Sequence, residues 1–254
     1  MKSRFVPPPA TVCVLTYGDH SVLARRCLES IRRQTERSLY RLVVGGNAVS
    51  KETESYLRGL RAAGHIDRLI LSRRNLNKCP MMRRMFRGLE TKFIFWFDDD
   101  SSVSRRGVLE AMLAKSKSAS KQTVMWGQMA YCEGAHDFIN ITDMTRFVRE
   151  SRWYRGLTPP SWAIGGKGEF DFQGRGTGDG RWFFITGGFW LIRTEAVRAL
   201  DWPDRRLLKL GDDVLLGEAI RQQGWKMCNT GSSGVRISRE RRRGDAGLLG
   251  VDPV

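Results

Sequence analysis

The chain of 254 residues is 41% hydrophobic and 28% charged, proportions that are typical of a soluble globular protein. They exclude a largely disordered chain, which buries too little apolar surface to fold, and the length suffices for one α/β domain with a substantial core. The 43 Lys and Arg residues exceed the 27 Asp and Glu residues and give a formal net charge of +16. Such a charge attracts polyanions, for example nucleic acid or an anionic membrane surface.

The five cysteines are scattered, odd in number and without the close pairs of a zinc site, which predicts a reducing, cytoplasmic setting. Near the start, Lys2 and Arg4 are followed by prolines and not by the apolar run of a signal peptide. No stretch approaches the roughly 20 apolar residues of a membrane helix. We therefore expect no transmembrane segment.

Strand-like and helix-like patterns alternate along the first part of the chain. Apolar and β-branched runs predict strands at residues 10–17, 40–44, 68–71 and 93–97, and apolar residues at helical spacing predict helices at 22–34, 50–63 and 80–89. This alternation predicts an α/β fold with a mostly parallel sheet and helices on both faces. In such sheets the ligand site lies beyond the carboxyl ends of the strands.

Three consecutive aspartates, Asp98 to Asp100, follow the apolar strand of residues 93–97. They would repel one another at the mouth of a low-dielectric sheet unless they share a cation. Mg²⁺ or Mn²⁺, held by one or two carboxylates, waters and phosphate oxygens, would suit this position. The alternative is that these aspartates, with Ser101 and Ser102, only cap a following helix.

Several segments of the chain follow one another in a characteristic order. They are the first strand and helix at 12–17 and 28–35, the turn Asn75-Leu76-Asn77-Lys78, the run Asp98-Asp99-Asp100, the Gly-rich strand at 186–193, and Gly211-Asp212-Asp213 at the start of a helix. In this order they resemble the family 2 glycosyltransferases, whose GT-A fold is a mixed, mostly parallel Rossmann-like sheet. The similarity covers roughly residues 10 to 230. The ordered set is far more specific than any single motif.

The resemblance implies one GT-A domain over residues 1–254. Residues 10–103 would form the nucleotide-sugar-binding half, residues 104–230 the acceptor-binding half with an elaborated loop region, and residues 231–254 a basic tail. The implied activity is metal-dependent, inverting transfer of a sugar from a nucleoside-diphosphate sugar, with a UDP-sugar as first choice, to an acceptor hydroxyl. Mn²⁺ or Mg²⁺ is the implied metal.

The resemblance also implies the roles of individual residues. Asp98 and Asp100 would hold the metal, and Asp213 would be the general base that accepts the proton of the acceptor hydroxyl. The residues implied in donor binding are Thr16, Tyr17, Asn47, Asn75, Lys78, Asp98 and Asp99. For Asp212 and Asp213 the alternative is helix capping, since negative charge at a helix start is favourable in itself.

Two features depart from the family pattern. An acidic residue usually follows the second strand and holds the base, whereas Gly45-Gly46-Asn47 stands here, with Asn47 as a substitute hydrogen-bonding group. Many GT-A enzymes also supply a late histidine to the metal, but the histidines of this chain are His20, His65 and His136. The metal shell is therefore expected to use other groups.

Residues 151–182 combine seven glycines at positions 165–180 with aromatic and basic side chains. This mixture suits either a lid or acceptor loop that closes on the substrate or a surface insertion whose aromatics pack on the core. Basic residues also cluster at 68–87 and at 236–243. Each cluster is either a solvated face or part of a polyanion-binding surface.

Three functions remain open at this stage. The first is a glycosyltransferase whose acceptor is a hydroxymethylated base in DNA or another polyanion. The second is a nucleotidyltransferase, although Thr16-Tyr17-Gly18-Asp19 stands where such enzymes place a Gly-rich phosphate loop. The third is a non-catalytic nucleic-acid-binding protein on a GT-A scaffold, which would bind DNA in a salt-sensitive manner.

Overall fold

The protein is described from a computed structural model. The structure describes residues 7–133, 181–204, 207, 212–231 and 234–238. Residues 151–180, His136 and the arginines after residue 238 lie outside this part, so the predictions made for them remain predictions.

The first half of the chain alternates strands and helices as predicted. Its elements are β1 (Ala10–Tyr17), α1 (Ser21–Gln34), a short 3₁₀ turn (Arg37–Leu39), β2 (Tyr40–Asn47), α2 (Lys51–Ala62), β3 (Arg68–Ser72), α3 (Lys78–Phe86) and β4 (Phe93–Asp98). The four strands are parallel, in the order β3-β2-β1-β4. Their carboxyl ends therefore meet at one edge.

The second half adds three strands to this sheet, one of which runs antiparallel to all the others. Its elements are β5 (Ser101–Val103), α4 (Val108–Ser118), β6 (Thr123–Glu133), β7 (Arg181–Arg193), α5 (Thr194–Leu200), α6 (Asp212–Gln222), β8 (Lys226–Asn229) and β9 (Val235–Ile237). Strand β7 lies antiparallel between β4 and β6, and β8 pairs parallel with β6, which completes a seven-stranded sheet. The predicted mixed, mostly parallel sheet is confirmed.

Two layers of buried residues cover the two faces of the sheet. One face packs against α3, α5 and α6 and includes Met85, Trp96 and Trp190. The other packs against α1, α2 and α4 and includes Leu28 and Phe95. Alternate residues of β4 point to opposite faces, which explains why its sequence is apolar throughout.

Strand β2 is longer than the prediction, because Gly45 and Gly46 continue it to Asn47. A Cβ at Gly45 would lie 2.5 Å from the sulfur of Met85, and a Cβ at Gly46 would lie 2.6 Å from Leu71 Cδ2. Glycine is therefore required for α3 and β3 to pack this closely. These two residues mark close packing and not the end of the strand.

Within the described residues, no helix is long and apolar enough to cross a membrane.

Candidate active site

The candidate site lies at the carboxyl ends of β1, β2 and β4. Tyr17 pairs with Asn47 across β1 and β2, and Leu15 pairs with Asp98 across β1 and β4. The predicted donor-binding residues Thr16, Tyr17, Asn47 and Asp98 therefore lie along one edge. The Thr16 hydroxyl is buried and makes no hydrogen bond within the described residues.

Asn47 anchors the turn that precedes α3. Its Nδ2 donates to Asn75 Oδ1 at 2.9 Å, and its Oδ1 accepts from Leu76 N at 2.9 Å. Asn75 Oδ1 also accepts from Asn77 N at 2.8 Å, and Asn77 has a φ of 66° and a ψ of 172°, a backbone conformation that residues other than glycine rarely adopt. Asn47 thus positions the first residue of α3, Lys78, and direct contact with a base stays a prediction.

Lys78 connects carboxylates from two different elements. Its Nζ lies 3.1 Å from Asp98 Oδ2 at the end of β4 and 3.2 Å from Asp212 Oδ2 at the start of α6. Burial alone would lower the pKa of Lys78, but the charges of Asp212, Asp98 and Asp213 outweigh it and raise the pKa well above its ordinary value. The ammonium is therefore charged at every physiological pH.

The aspartates after β4 do not cap a helix. Residues Ser101–Val103 form strand β5, which pairs with β9, and α4 begins only at Val108. The helix-capping alternative for this segment is wrong. Ser238 N, directly after β9, donates to the Asp100 carbonyl at 2.8 Å and holds the chain at this point.

The three carboxylates differ in their surroundings. Asp98 Oδ1 accepts a hydrogen bond from Trp96 Nε1 at 3.0 Å, and Oδ2 accepts one from Lys78. Asp99 is buried. Burial raises the pKa of Asp100 to about 6, the neighbouring charge of Asp98 adds to this rise, and Lys78 opposes it.

Asp212 and Asp213, which were predicted on the acceptor side, occupy the first turn of α6. Asp213 Oδ2 accepts a hydrogen bond from Gly187 N of β7 at 3.1 Å. Asp212 is buried, and burial raises its pKa to about 6, although Lys78 acts to lower it. The negative ends of these side chains meet the positive end of the helix dipole.

A divalent metal requires oxygen ligands that other groups do not use. Asp100 Oδ1 is buried and accepts no hydrogen bond within the described residues, so it suits a cation. In the same part of the chain, no group of three His, Cys, Asp or Glu side chains could hold a metal alone. The residues fit an ion that takes one or two carboxylates from the protein and its other ligands from diphosphate and water.

Sequence reasoning missed three contributors to this site. It did not predict that Asp212 pairs with Lys78, that Trp96 holds Asp98, or that Gly187 holds Asp213. A Cβ at Gly187 would lie 3.2 Å from Lys78 Nζ and 3.5 Å from Asp213 Oδ2. The signal was present, since a glycine inside a strand often marks a close approach.

Comparisons with known proteins agree with this architecture. The chain is similar to the mannosyltransferase PcManGT from Pyrobaculum calidifontis, solved with GDP-Man and Mn²⁺, with a TM-score of 0.62 and 16% identity over 96% of this chain and 60% of that chain. It is also similar to S. aureus TarS 1-349 in complex with UDP-GlcNAc, with a TM-score of 0.55 and 12% identity over 92% of this chain and 59% of that chain. The chain thus spans 59–60% of the length of these proteins, and the likeness concerns the fold.

No curated protein sequence matches the chain significantly. The model of glycosyltransferase-like family 2, in contrast, matches residues 7–243, nearly the whole chain and all the strands of the sheet. The chain therefore belongs to glycosyltransferase-like family 2 and has the GT-A fold.

Proposed function

We propose that this chain transfers a sugar from a nucleoside-diphosphate sugar to an acceptor hydroxyl. One observation carries the proposal: Lys78 lies 3.1 Å from Asp98 and 3.2 Å from Asp212. The ammonium thereby joins the carboxylates expected at the leaving group to those expected at the acceptor. A transferase requires both sets of groups within the length of one sugar.

Donor binding is assigned to residues 10–103. Thr16 and Tyr17 would contact the base, Asn75 and Asp99 would complete the donor pocket, and Asn47 would hold the turn that presents Lys78 to the diphosphate. The similar structures were solved with GDP-Man and with UDP-GlcNAc, which supports a nucleotide-sugar donor. A UDP-sugar is our first choice.

The metal is assigned to Asp98 and Asp100. When bound there, Mn²⁺ or Mg²⁺ would neutralise the diphosphate as it leaves. Asp100 Oδ1 is buried and has no hydrogen-bond partner within the part of the chain that the structure describes, which supports this assignment. Lys78 would add a second positive charge on the leaving-group side.

Asp213 is assigned as the general base. Asp213 Oδ2 accepts a hydrogen bond from Gly187 N at 3.1 Å, which orients this carboxylate, and an oriented carboxylate can accept the proton of an acceptor hydroxyl. A base opposite the leaving group would invert the anomeric carbon. Residues 104–230 would bind the acceptor.

The acceptor is proposed to be a polyanion, such as DNA with hydroxymethylated bases. The net charge of +16 supports this class, and Arg73, Arg74, Arg84 and Arg87 are exposed on α3 and in its flanking loops. This arginine surface begins a few residues before Lys78. A cytoplasmic setting belongs to the same proposal.

The activity can be tested with purified protein, Mn²⁺ and a panel of nucleoside-diphosphate sugars, with release of the diphosphate as the readout. We expect release with one donor, stimulated by DNA bearing 5-hydroxymethyl bases and abolished by chelation of the metal. Salt-sensitive DNA binding without release from any donor would instead favour a non-catalytic nucleic-acid-binding protein. Release of pyrophosphate from a nucleoside triphosphate would favour a nucleotidyltransferase.

The acceptor class can be tested with the double substitution Arg84→Glu and Arg87→Glu. Binding to the polyanion should weaken and lose part of its salt dependence, because each phosphate contact contributes to the salt slope. Lys115→Glu with Lys117→Glu is the matched control, since these exposed residues of α4 carry the same charge on the opposite face of the sheet. Equal weakening in both proteins would contradict a specific arginine surface.

A further inference from the structure

The ammonium of Lys78 is itself a cation in contact with Asp98, one of the two proposed metal ligands. Asp98 Oδ2 is 3.1 Å from Lys78 Nζ, and Asp98 Oδ1 accepts from Trp96 Nε1 at 3.0 Å. Both oxygens of this proposed metal ligand are therefore engaged by protein groups. Asp100 Oδ1, in contrast, has no hydrogen-bond partner within the described residues.

Lys78 is held firmly in this position. Asp212 Oδ2 also lies 3.2 Å from the ammonium, and the Lys78 side chain is only 21% exposed. A divalent ion that shares Asp98 would meet this positive charge at short range in a partly buried site. Like charges in such a site repel strongly, because little water screens them.

A nucleoside diphosphate changes this balance. Its phosphate oxygens offer Lys78 negative partners that replace Asp98, and an ammonium has three donors to distribute. The same oxygens offer the metal the ligands that the protein does not supply. Nucleotide and metal would therefore help each other to bind.

We propose that Lys78 is a resident cation that competes with the divalent metal for Asp98, so that the metal binds well only when the donor nucleotide is present. The inference rests on the proposed metal site at Asp98 and Asp100. Lys78 acts here as a positioning residue that sets the order of assembly. Asp212 is the second carboxylate that keeps the ammonium in place.

The test is a titration of the protein with Mn²⁺ alone, in which electron paramagnetic resonance measures the concentration of free Mn²⁺. The titration is repeated in the presence of UDP and of GDP. Wild-type protein should bind Mn²⁺ weakly until the matching nucleotide is added. Lys78→Met should bind Mn²⁺ without nucleotide at least about tenfold more tightly than wild type, and the added effect of nucleotide should shrink. Lys78→Arg, which keeps the charge, should resemble wild type.

Two control variants test whether the effect depends on the contact between Lys78 and Asp98. Arg74→Met removes a nearby exposed positive charge and should leave Mn²⁺ binding almost unchanged. Asp212→Asn leaves Asp98 as the sole carboxylate within salt-bridge distance of Lys78 among the described residues, so it should not tighten Mn²⁺ binding. Thermal unfolding checks each variant, and Lys78→Gln replaces Lys78→Met if the latter does not fold.

The outcomes separate this inference from the proposed function. If nucleotide promotes Mn²⁺ binding equally in wild type and Lys78→Met, and both proteins bind free Mn²⁺ alike, the competition is overturned while the metal site stands. Equal tightening in Arg74→Met would also overturn it, because the effect would then be one of general charge. If no variant binds Mn²⁺ even with nucleotide, both the metal assignment and the inference are wrong.

Discussion

The carboxylates after β4 and those at the start of α6 are held in different ways. Asp98 is the last residue of β4 and accepts a hydrogen bond from Trp96, two residues earlier in the same strand. Asp213 instead depends on Gly187, from a distant strand. The Trp96 contact of Asp98 is therefore local, whereas the Gly187 contact of Asp213 exists only when β7 and α6 have packed together.

This difference explains how the two sides can serve one reaction. Support of Asp98 by a side chain of its own strand would suit a proposed metal ligand, because metal sites require fixed ligand geometry. The proposed general base, Asp213, needs one carboxylate oriented toward the acceptor hydroxyl. Lys78 is the contact through which each side influences the other.

The largest expected effect is on the acceptor side. Asp213→Asn should lower the transfer rate by about 10²- to 10⁴-fold, the usual contribution of a general base, while nucleotide affinity stays unchanged. Asparagine can still accept the hydrogen bond from Gly187. Steady-state kinetics and calorimetry with UDP would measure the two quantities.

Retention of most of the rate in this variant would show that Asp213 is not the base. Asp212 would then be the next candidate. In that case the buried carboxylate beside Lys78, and not the one held by Gly187, would contact the acceptor.

Substitution of the proposed metal ligands should weaken nucleotide binding more than it slows the chemical step. Asp100→Ala should weaken Mn²⁺-dependent nucleotide binding by at least about 10- to 100-fold, the loss that even an outer-shell partner of a metal ligand causes. Calorimetry with and without Mn²⁺ would measure it. Asp19→Ala removes an exposed carboxylate from the loop after β1 and should have little effect; equal losses in both variants would contradict the metal assignment.

A smaller effect is expected where the two sides meet. Gly187→Ala would place a Cβ 3.2 Å from Lys78 Nζ, which forces the ammonium or Asp213 to shift by a few tenths of an ångström. We expect about a tenfold loss of transfer rate, since misplacement of catalytic groups is costly, with little loss of thermal stability. An unchanged transfer rate would contradict the proposal that close packing of Gly187 against Lys78 and Asp213 positions these side chains.

Gly59→Ala is the matched control for that substitution. Gly59 lies in α2 with nothing near its added Cβ, so alanine should raise helix stability by about 0.5–1 kcal/mol. The rate should stay unchanged. Comparison of the two substitutions therefore distinguishes the effect of close packing at the site from the effect of helix propensity.

The smallest effect concerns pH. Burial raises the pKa of Asp212 to about 6, above its unfolded value of about 4, so the folded protein gains stability as pH falls from about 6 to 4 and loses it as pH rises. Asp212→Asn should reduce the difference in unfolding free energy between pH 5 and pH 7 by about 1 kcal/mol. Denaturant unfolding without metal or nucleotide would measure this, and an unchanged difference would contradict the burial argument.

Much of the fold could be predicted because its determinants are local. The pattern of β1 gives its bounds correctly, and α1 begins one residue before the predicted start. Strand β5 was not predicted, because three residues carry too little pattern and their partner β9 lies far along the chain. Helix α3 begins at Lys78, before the predicted Pro80, because the preceding turn is fixed by Asn47.

The site followed the same division. Asp98 and Asp100 stay predicted site residues, and the sequence singles them out because an acidic run after an apolar strand is a local signal. The pairing of Lys78 with Asp212 could not be predicted, since it depends on the packing of α3 and α6 against the same face of the sheet. Motif order predicts which residues belong to the site, and only tertiary packing shows which of them form ion pairs.

The pairing of β5 with β9 also has a consequence for biosynthesis. The backbone that follows the donor carboxylates is held by Ser238 N on the Asp100 carbonyl and by the strand just before it. A nascent chain that has produced Asp98 to Asp100 must therefore wait for β9 before this loop is fixed. Competence to bind metal would arise late in synthesis, after most of the sheet has formed.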